Sequence, residues 1–264
     1  MIPKIINYCW FGRGEKTELF NKCIKSWQKF CPDYEIIEWN ENNFDVYQND
    51  FVALAYKEKK YGFVPDFARF FILYNHGGVY LDTDVEIIKN IDDLLKNKAF
   101  IGTEQKGHLI NPGSGIGAEK GSKIILEFME FYKDKKFENN DGVLNMTPSP
   151  CLLTPIIKNK GWKDNNLKQV IDGLTIYPTD FFCPKDYDGI LRITDNTYSI
   201  HYFEGSWIDD DIKKISILQG KISKLFGVQI GLIIAYIIKV FKRKGFVFLI
   251  KRLPSMIKKY FTKF

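Results

Sequence analysis

Two aspartates one residue apart, Asp82 and Asp84, follow the short apolar run Val79-Tyr80-Leu81. In an extended segment, residues i and i+2 point to the same side. Two carboxylates held that way suit a hard divalent cation, which prefers oxygen ligands. Without further context an Asp-x-Asp is better read as a solvated turn. Asp66 and Arg69, three apart in a helical stretch, share one helix face and can jointly meet the hydroxyls and phosphate of a ligand. In isolation they read as a surface ion pair, a common and weak feature. His201 lies in the cluster His201-Tyr202-Phe203-Glu204-Gly205-Ser206-Trp207, and a lone histidine beside aromatics is ordinarily a satisfied core residue. His76 and His108 have no suggestive context and read as structural. The stretch Asn111-Pro112-Gly113-Ser114-Gly115-Ile116-Gly117 has neither the GxxxxGK[ST] pattern nor a GxGxxG register. It reads as close-packed backbone lining a ligand cleft, with a plain turn as the alternative. No residue stands out as a covalent nucleophile.

The elements that must position these groups follow from periodicity and punctuation. Lys4 to Cys9 reads as an apolar strand ended by the loop Trp10-Phe11-Gly12-Arg13-Gly14. Thr17 or Glu18 opens a helix to about Phe30, with Leu19, Cys23, Ile24 and Trp27 at helical spacing, and Pro32 stops it. Tyr34 to Trp39 is a second strand, so the chain opens β-loop-α-β, the signature of a layered α/β domain with partly parallel strands. Helical segments are predicted at about Phe51 to Tyr61 and Pro65 to Asn75, the latter with proline at its start and Gly77-Gly78 past its end. Val79 to Leu81 then delivers Asp82-Thr83-Asp84, and Val85 to Ile88 resumes an extended run. Further strands are predicted near Phe100 to Thr103, Thr175 to Tyr177 and Tyr198 to His201, with helices at Ser122 to Tyr132 and Pro150 to Asn159 and a loop over 134–150.

The bulk properties bound the reading. With 264 residues, 45% hydrophobic and 16% aromatic, the chain can bury a substantial core, and one catalytic domain plus an appendage is expected. The five cysteines are odd in number and lack CxxC spacing, which fits a reducing compartment rather than a disulfide framework or a zinc site. The N-terminus lacks the pattern of a signal peptide, so the cytoplasmic side is expected. The net charge of +6 hides an asymmetry: residues 212–264 hold thirteen Lys and Arg and no acid, leaving a net charge of −7 on residues 1–211. The expected division is therefore a catalytic domain over 1–211 and a basic amphipathic helical tail over 212–264, its cations meeting an anionic partner. The longest mostly apolar run of the tail, Leu225 to Ile238, has 14 residues, fewer than the roughly 20 needed to span a bilayer. Phe246 to Leu253 and Met256 to Phe264 mix aromatics and aliphatics with Lys and Arg, the composition of an interfacial helix on the inner face of an anionic membrane. A helical appendage packed on the domain or on a partner chain is the alternative.

Taken with their flanks, the residues become specific. The segment Asp66-Phe67-Ala68-Arg69-Phe70-Phe71-Ile72-Leu73-Tyr74-Asn75-His76-Gly77-Gly78-Val79-Tyr80-Leu81-Asp82-Thr83-Asp84 closely resembles the DXD region of glycosyltransferase family 32, the sugar-binding-region proteins that include bacterial capsular-polysaccharide enzymes. Ile2-Pro3-Lys4-Ile5-Ile6-Asn7-Tyr8-Cys9-Trp10-Phe11-Gly12 resembles the family's opening strand, as do Ser26-Trp27, Pro32-Asp33-Tyr34-Glu35 and Trp39 the segments that follow it. The likeness covers about residues 1–210. It implies a GT-A fold with a Rossmann-like mixed sheet, a nucleotide-sugar donor with UDP-sugars favoured, Mn²⁺ or Mg²⁺, and retention of anomeric configuration. It further implies that Trp10 stacks on the donor base and that Asp66 and Arg69 contact the donor's ribose, sugar or phosphate. Asp82 would assist donor and metal binding and Asp84 would ligate the metal. The closing cluster is similar to the family's His…Ser-Trp motif, which makes His201 a third metal ligand and Ser206 and Trp207 phosphate contacts. The implied acceptor is a surface glycan or a lipid-linked glycan.

Two other readings use the same residues. A metal-dependent phosphoesterase or nuclease needs further acidic or histidine ligands for two metals, and it leaves Trp10, Asp66 and Arg69 unexplained. A non-catalytic sugar-binding module has no need to keep both Asp82 and Asp84.

Overall fold

The computed structural model of the chain describes residues 1–139, 142–185 and 190–205, with scattered positions between 215 and 238. Contacts divide the chain into one compact unit, Met1–Asp186 with Leu191–Trp207, and a second comprising Tyr187–Ile190 and Ile208–Phe264. Every element named here belongs to the first. Apart from the scattered positions, the expected tail lies outside the described residues. Among those residues no helix is long and apolar enough to cross a membrane.

The chain opens as β1 (Ile5–Cys9), α1 (Glu18–Phe30) and β2 (Glu35–Trp39), then passes through α2 (Asp50–Lys57), a 3₁₀ turn at Tyr61–Phe63 and α3 (Pro65–His76). The short strands β3 (Gly78–Tyr80) and β4 (Val85–Ile87) flank the two aspartates. Next come β5 (Ala99–Glu104), β6 (Leu109–Ala118), α4 (Lys123–Phe131), α5 (Ser149–Asn159), β7 (Gln169–Ile171), β8 (Leu174–Ile176), the single turn α6 (Thr179–Phe182) and β9 (Ser199–His201). Seven strands form one sheet in the order β2-β1-β3-β6-β5-β8-β7, and β4 pairs with β9 in a separate ribbon. β1 runs parallel to β2 and β3, while β6 is antiparallel to β3 and β5. This is the mixed, Rossmann-like sheet expected of a GT-A-type α/β fold.

Local chemistry explains the helices that flank the site. Thr17 caps α1, its Oγ1 accepting from Phe20 N at 3.1 Å, and the helix buries Phe20, Cys23 and Trp27. Trp27 Nε1 donates to Val85 O at 2.7 Å and Ile87 N to Ser26 Oγ at 3.0 Å, so α1 carries β4. Pro65 starts α3 and Gly77, at φ +73°, ends it. Strand alternation sends Val79 and Leu81 to the hydrophobic cluster under α1, and Tyr80 to the cluster under α3 and α4. The sheet is thus covered on both faces.

Three expectations are corrected. The helix predicted to run to Tyr61 ends at Lys57, because Lys59 takes a left-handed φ of +56° before the 3₁₀ turn. The glycine-rich stretch lies inside β6, so the alternative of a plain turn falls. β7 and α6 were not expected; both are short, of 3 and 4 residues, below the length at which periodicity shows.

Candidate active site

In open α/β sheets the crevice for ligands lies beyond the carboxyl ends of the strands, where successive connections diverge. Here β1 leads through α1 to β2 on one side, and β3 lies on its other side. The carboxyl ends of β1 and β3 carry Trp10 and Asp82. Trp10 N donates to Trp39 O at 2.9 Å, Leu81 N to Asn7 O at 3.1 Å and Asp82 N to Gly113 O at 2.9 Å, which extends the ladder to the edge of the crevice. The Trp10 indole is half-buried against Phe20, ring centroids 5.0 Å apart, and its Nε1 donates to Gly14 O at 3.0 Å.

The two aspartates converge, though not by strand alternation. Val85 N donates to Asp82 O at 3.1 Å, so Asp82-Thr83-Asp84 is a turn rather than an extended segment. The turn brings Asp84 against β9, where its Oδ1 lies 3.2 Å from His201 Nε2 and its Oδ2 accepts from Glu204 N at 2.7 Å. One donor atom each from Asp82, Asp84 and His201 lie within 4.8 Å of one another. Burial alone would raise the Asp84 carboxyl, but His201 and the Glu204 amide hold it below the usual range. Burial alone would depress the His201 imidazole, and Asp84 outweighs it and keeps it well above the usual histidine value. Two carboxylates and an imidazole held this closely are a donor set that fits a divalent cation.

Asp66 and Arg69 are not a surface pair. Their side chains are 7% and 4% exposed, with Arg69 Nη2 at 3.3 Å from Asp66 Oδ1 and 3.4 Å from Asp82 Oδ1. Arg69 Nε also donates to Pro65 O at 2.8 Å, and the guanidinium sits 5.0 Å from the Tyr80 ring centroid. Burial pushes Asp66 up to about 6 against the opposing pull of Arg69. The pair holds the Asp82 carboxylate from behind.

A second group, absent from the sequence reading as chemistry, supports the first. Asn111 is buried on β6, its Oδ1 accepting from Gly113 N at 2.8 Å and Ser114 N at 3.1 Å. Its Nδ2 donates to Glu104 Oε2 at 2.6 Å and lies 3.4 Å from His201 Nδ1. Glu104 is itself buried, and burial pushes its carboxyl up. The nearby Cys183 thiol is also buried and pushed up, and it hydrogen-bonds His201 and Ser114. A lone Glu at the end of a strand carries no sequence signal, whereas Asn111 stood at the head of a stretch read only for its glycines. Gly113 matters for what it lacks: a Cβ there would meet Asp82 Oδ2 at 2.0 Å.

Of the residues expected at the site, Asp82, Asp84 and His201 come together, with Arg69 touching Asp82 and Asp66 touching Arg69. Trp10 stands on the same edge of the sheet. Ser206 and Trp207 lie outside the described residues. His76 packs on Trp39, ring centroids 4.9 Å apart, and His108 Nδ1 lies 3.4 Å from Asp164, both away from the cluster.

Comparison with known proteins bears on the same segment. Residues 17–101 match the family described as glycosyltransferase sugar-binding region containing DXD motif. Inositol phosphoceramide mannosyltransferase 3 of Schizosaccharomyces pombe is 31% identical over 138 residues, which cover 48% of this chain and 36% of that protein. This chain therefore spans much less than the full length of that relative. An uncharacterized glycosyltransferase of Acanthamoeba polyphaga mimivirus is 27% identical over 201 residues, covering 70% of this chain and 77% of that one. Among solved structures, the PaToxG glycosyltransferase aligns over 60% of this chain and 69% of its own at 19% identity, with a TM-score of 0.44. The DXD turn between β3 and β4 lies inside the matched residues 17–101, so this part of the chain is a glycosyltransferase sugar-binding region containing a DXD motif.

Proposed function

We propose that the protein is a retaining, cation-dependent glycosyltransferase that moves a sugar from a UDP- or GDP-sugar to a glycan or lipid-linked acceptor. The observation that carries this reading is the convergence of Asp82, Asp84 and His201 at the carboxyl edge of β1 and β3. Asp84 and His201 would be direct cation ligands, with Asp82 serving both cation and donor. When bound, the cation neutralises charge that grows on the departing diphosphate. An imidazole in the donor set favours Mn²⁺ over Mg²⁺. Asp84 Oδ1 and His201 Nε2, 3.2 Å apart, hold each other in place.

Trp10 offers its indole face to the donor base. Asp66 and Arg69 set the Asp82 carboxylate and, through it, the donor's sugar and phosphate. Ser206 and Trp207 are assigned to the diphosphate by the resemblance alone. No side chain stands out as a covalent nucleophile. The reading is therefore front-face attack: the acceptor oxygen bonds to the anomeric carbon, the bond to the diphosphate oxygen breaks on the same face, and the acceptor's proton passes to the leaving phosphate.

Relatives named as inositol phosphoceramide mannosyltransferases support a mannose donor and a lipid-borne, phosphate-bearing acceptor alongside the capsule-type glycan. The thirteen cations of residues 212–264 would hold the enzyme on the inner face of an anionic membrane, each contributing about 1 kcal/mol near the surface. Truncation after Asp211 is expected to abolish binding to anionic liposomes at low salt while sparing donor hydrolysis; equal binding by both forms rejects the anchor. The activity itself is tested by a screen of UDP- and GDP-sugars with Mn²⁺, reading released nucleotide. Release from one donor, abolished by chelation, is the expected result, and no release from any of them rejects the reading.

A further inference from the structure

Asn111 links the two arms of the cation cluster, reaching Asp82 through Gly113 and His201 directly. Its Oδ1 takes the Gly113 N–H at 2.8 Å, and the Gly113 carbonyl takes the Asp82 N–H at 2.9 Å. On the other side its Nδ2 lies 3.4 Å from His201 Nδ1, and His201 Nε2 faces Asp84. The amide can serve both arms only in one orientation. Two backbone donors at Oδ1 and the Glu104 carboxylate at 2.6 Å from Nδ2 fix that orientation from opposite ends. A carboxylate 7% exposed whose hydrogen-bond partners are the amides of Asn111 and Gln105 is costly to bury. Such a cost at a ligand cluster marks an outer support that orients the groups meeting the ion.

We infer that Glu104 is a positioning residue that locks the Asn111 amide and thereby sets the spacing of Asp82, Asp84 and His201 for a divalent cation. This rests on reading those three as cation ligands. The test is Mn²⁺ binding to the full chain, followed by loss of the free-ion EPR signal, together with the melting temperature. Glu104→Ala is expected to weaken Mn²⁺ binding by roughly 10- to 100-fold, the usual effect of losing an outer-shell partner. Glu104→Gln keeps an acceptor oxygen at the same reach and is expected to restore most of that loss. Glu104→Asp draws the carboxylate back by one methylene and is expected to follow Glu104→Ala. Unchanged Mn²⁺ affinity in Glu104→Ala, with only a lower melting temperature, overturns the inference; if that variant does not fold, unchanged affinity in Glu104→Asp does the same. Asp84→Asn, titrated alongside, separates the two readings. If it binds Mn²⁺ as the parent does, the cation reading falls and the inference with it. Loss of binding in Asp84→Asn with none in the Glu104 variants overturns the role of Glu104 alone.

Discussion

Asp84 is held from three directions: the Glu204 amide on Oδ2, His201 on Oδ1, and its own carbonyl accepting from Tyr202 N at 3.0 Å. Exchange for asparagine changes charge and one atom, so the turn keeps its backbone partners while a cation bound there would lose an anionic ligand. Asp84→Asn is expected to lower transfer on the order of 100-fold or more, the scale for losing a group aimed at developing charge, with an unchanged circular dichroism spectrum. Parent-like turnover at saturating donor rejects the ligand role. Arg69 makes a different prediction because it is buried between two acids. Removing one partner of a buried pair leaves an uncompensated charge, so Arg69→Gln is expected to cost about 3–5 kcal/mol in urea unfolding. Adding Asp66→Asn should recover part of it, and a strictly additive double variant shows that the two do not act as a pair. At this scale the sequence could be read where residues sat in a recognisable string, as for Asp66, Arg69, Asp82 and Asp84. Glu104 could not be found, since its meaning comes from Asn111, which lies diagonally across the β5–β6 pair where Glu104 faces Leu109 and Asn111 faces Gly102.

Helix limits were readable because their ends are chemically marked: Thr17 and Pro32 for α1, Pro65 and Gly77 for α3. β6 was not, and its residues explain why. Pro112 and several glycines argue against a central strand. The strand accommodates them because β3 pairs only with Ile116 to Ala118 of it, and because its pairing with β5 is interrupted between Ile101 and Gly102. The segment holding Pro112 and Gly113 is thereby free to approach the aspartate turn. Gly113→Ala tests that approach. The added methyl must displace the Asp82 carboxylate, an overpacking expected to cost about 1–3 kcal/mol and to weaken Mn²⁺ binding. Gly14, where an added Cβ would have no atom within 4 Å, is the comparison: Gly14→Ala should leave Mn²⁺ binding and urea midpoint near the parent values. Equal effects of the two substitutions reject the close-approach argument.

Across the whole molecule, the opening β-α-β and the covered sheet could be anticipated from apolar runs and turn residues, because those signals are local. The joining of segments far apart in sequence was not local: β4 pairs with β9 through Val85 and His201, and Lys22 of α1 reaches both Glu86 and Tyr202 at 2.7 Å. Only the family resemblance linked His201 to the aspartates in advance. The consequence is thermodynamic, since a cation bound by Asp82, Asp84 and His201 ties β3, the turn and β9 together and binds the folded chain in preference to the unfolded one. At a free Mn²⁺ concentration of 100 times Kd the linkage adds about 2.7 kcal/mol. For a domain of this size that corresponds to a rise in Tm of roughly 5–10 °C. The rise should vanish with excess chelator and in Asp84→Asn, and should grow with the logarithm of Mn²⁺ concentration above Kd. A Tm that does not respond to Mn²⁺ or Mg²⁺ across the millimolar range would show that the three side chains hold no cation in the folded protein. In that case the buried contact between Asp84 and His201 would be a structural clasp between β4 and β9.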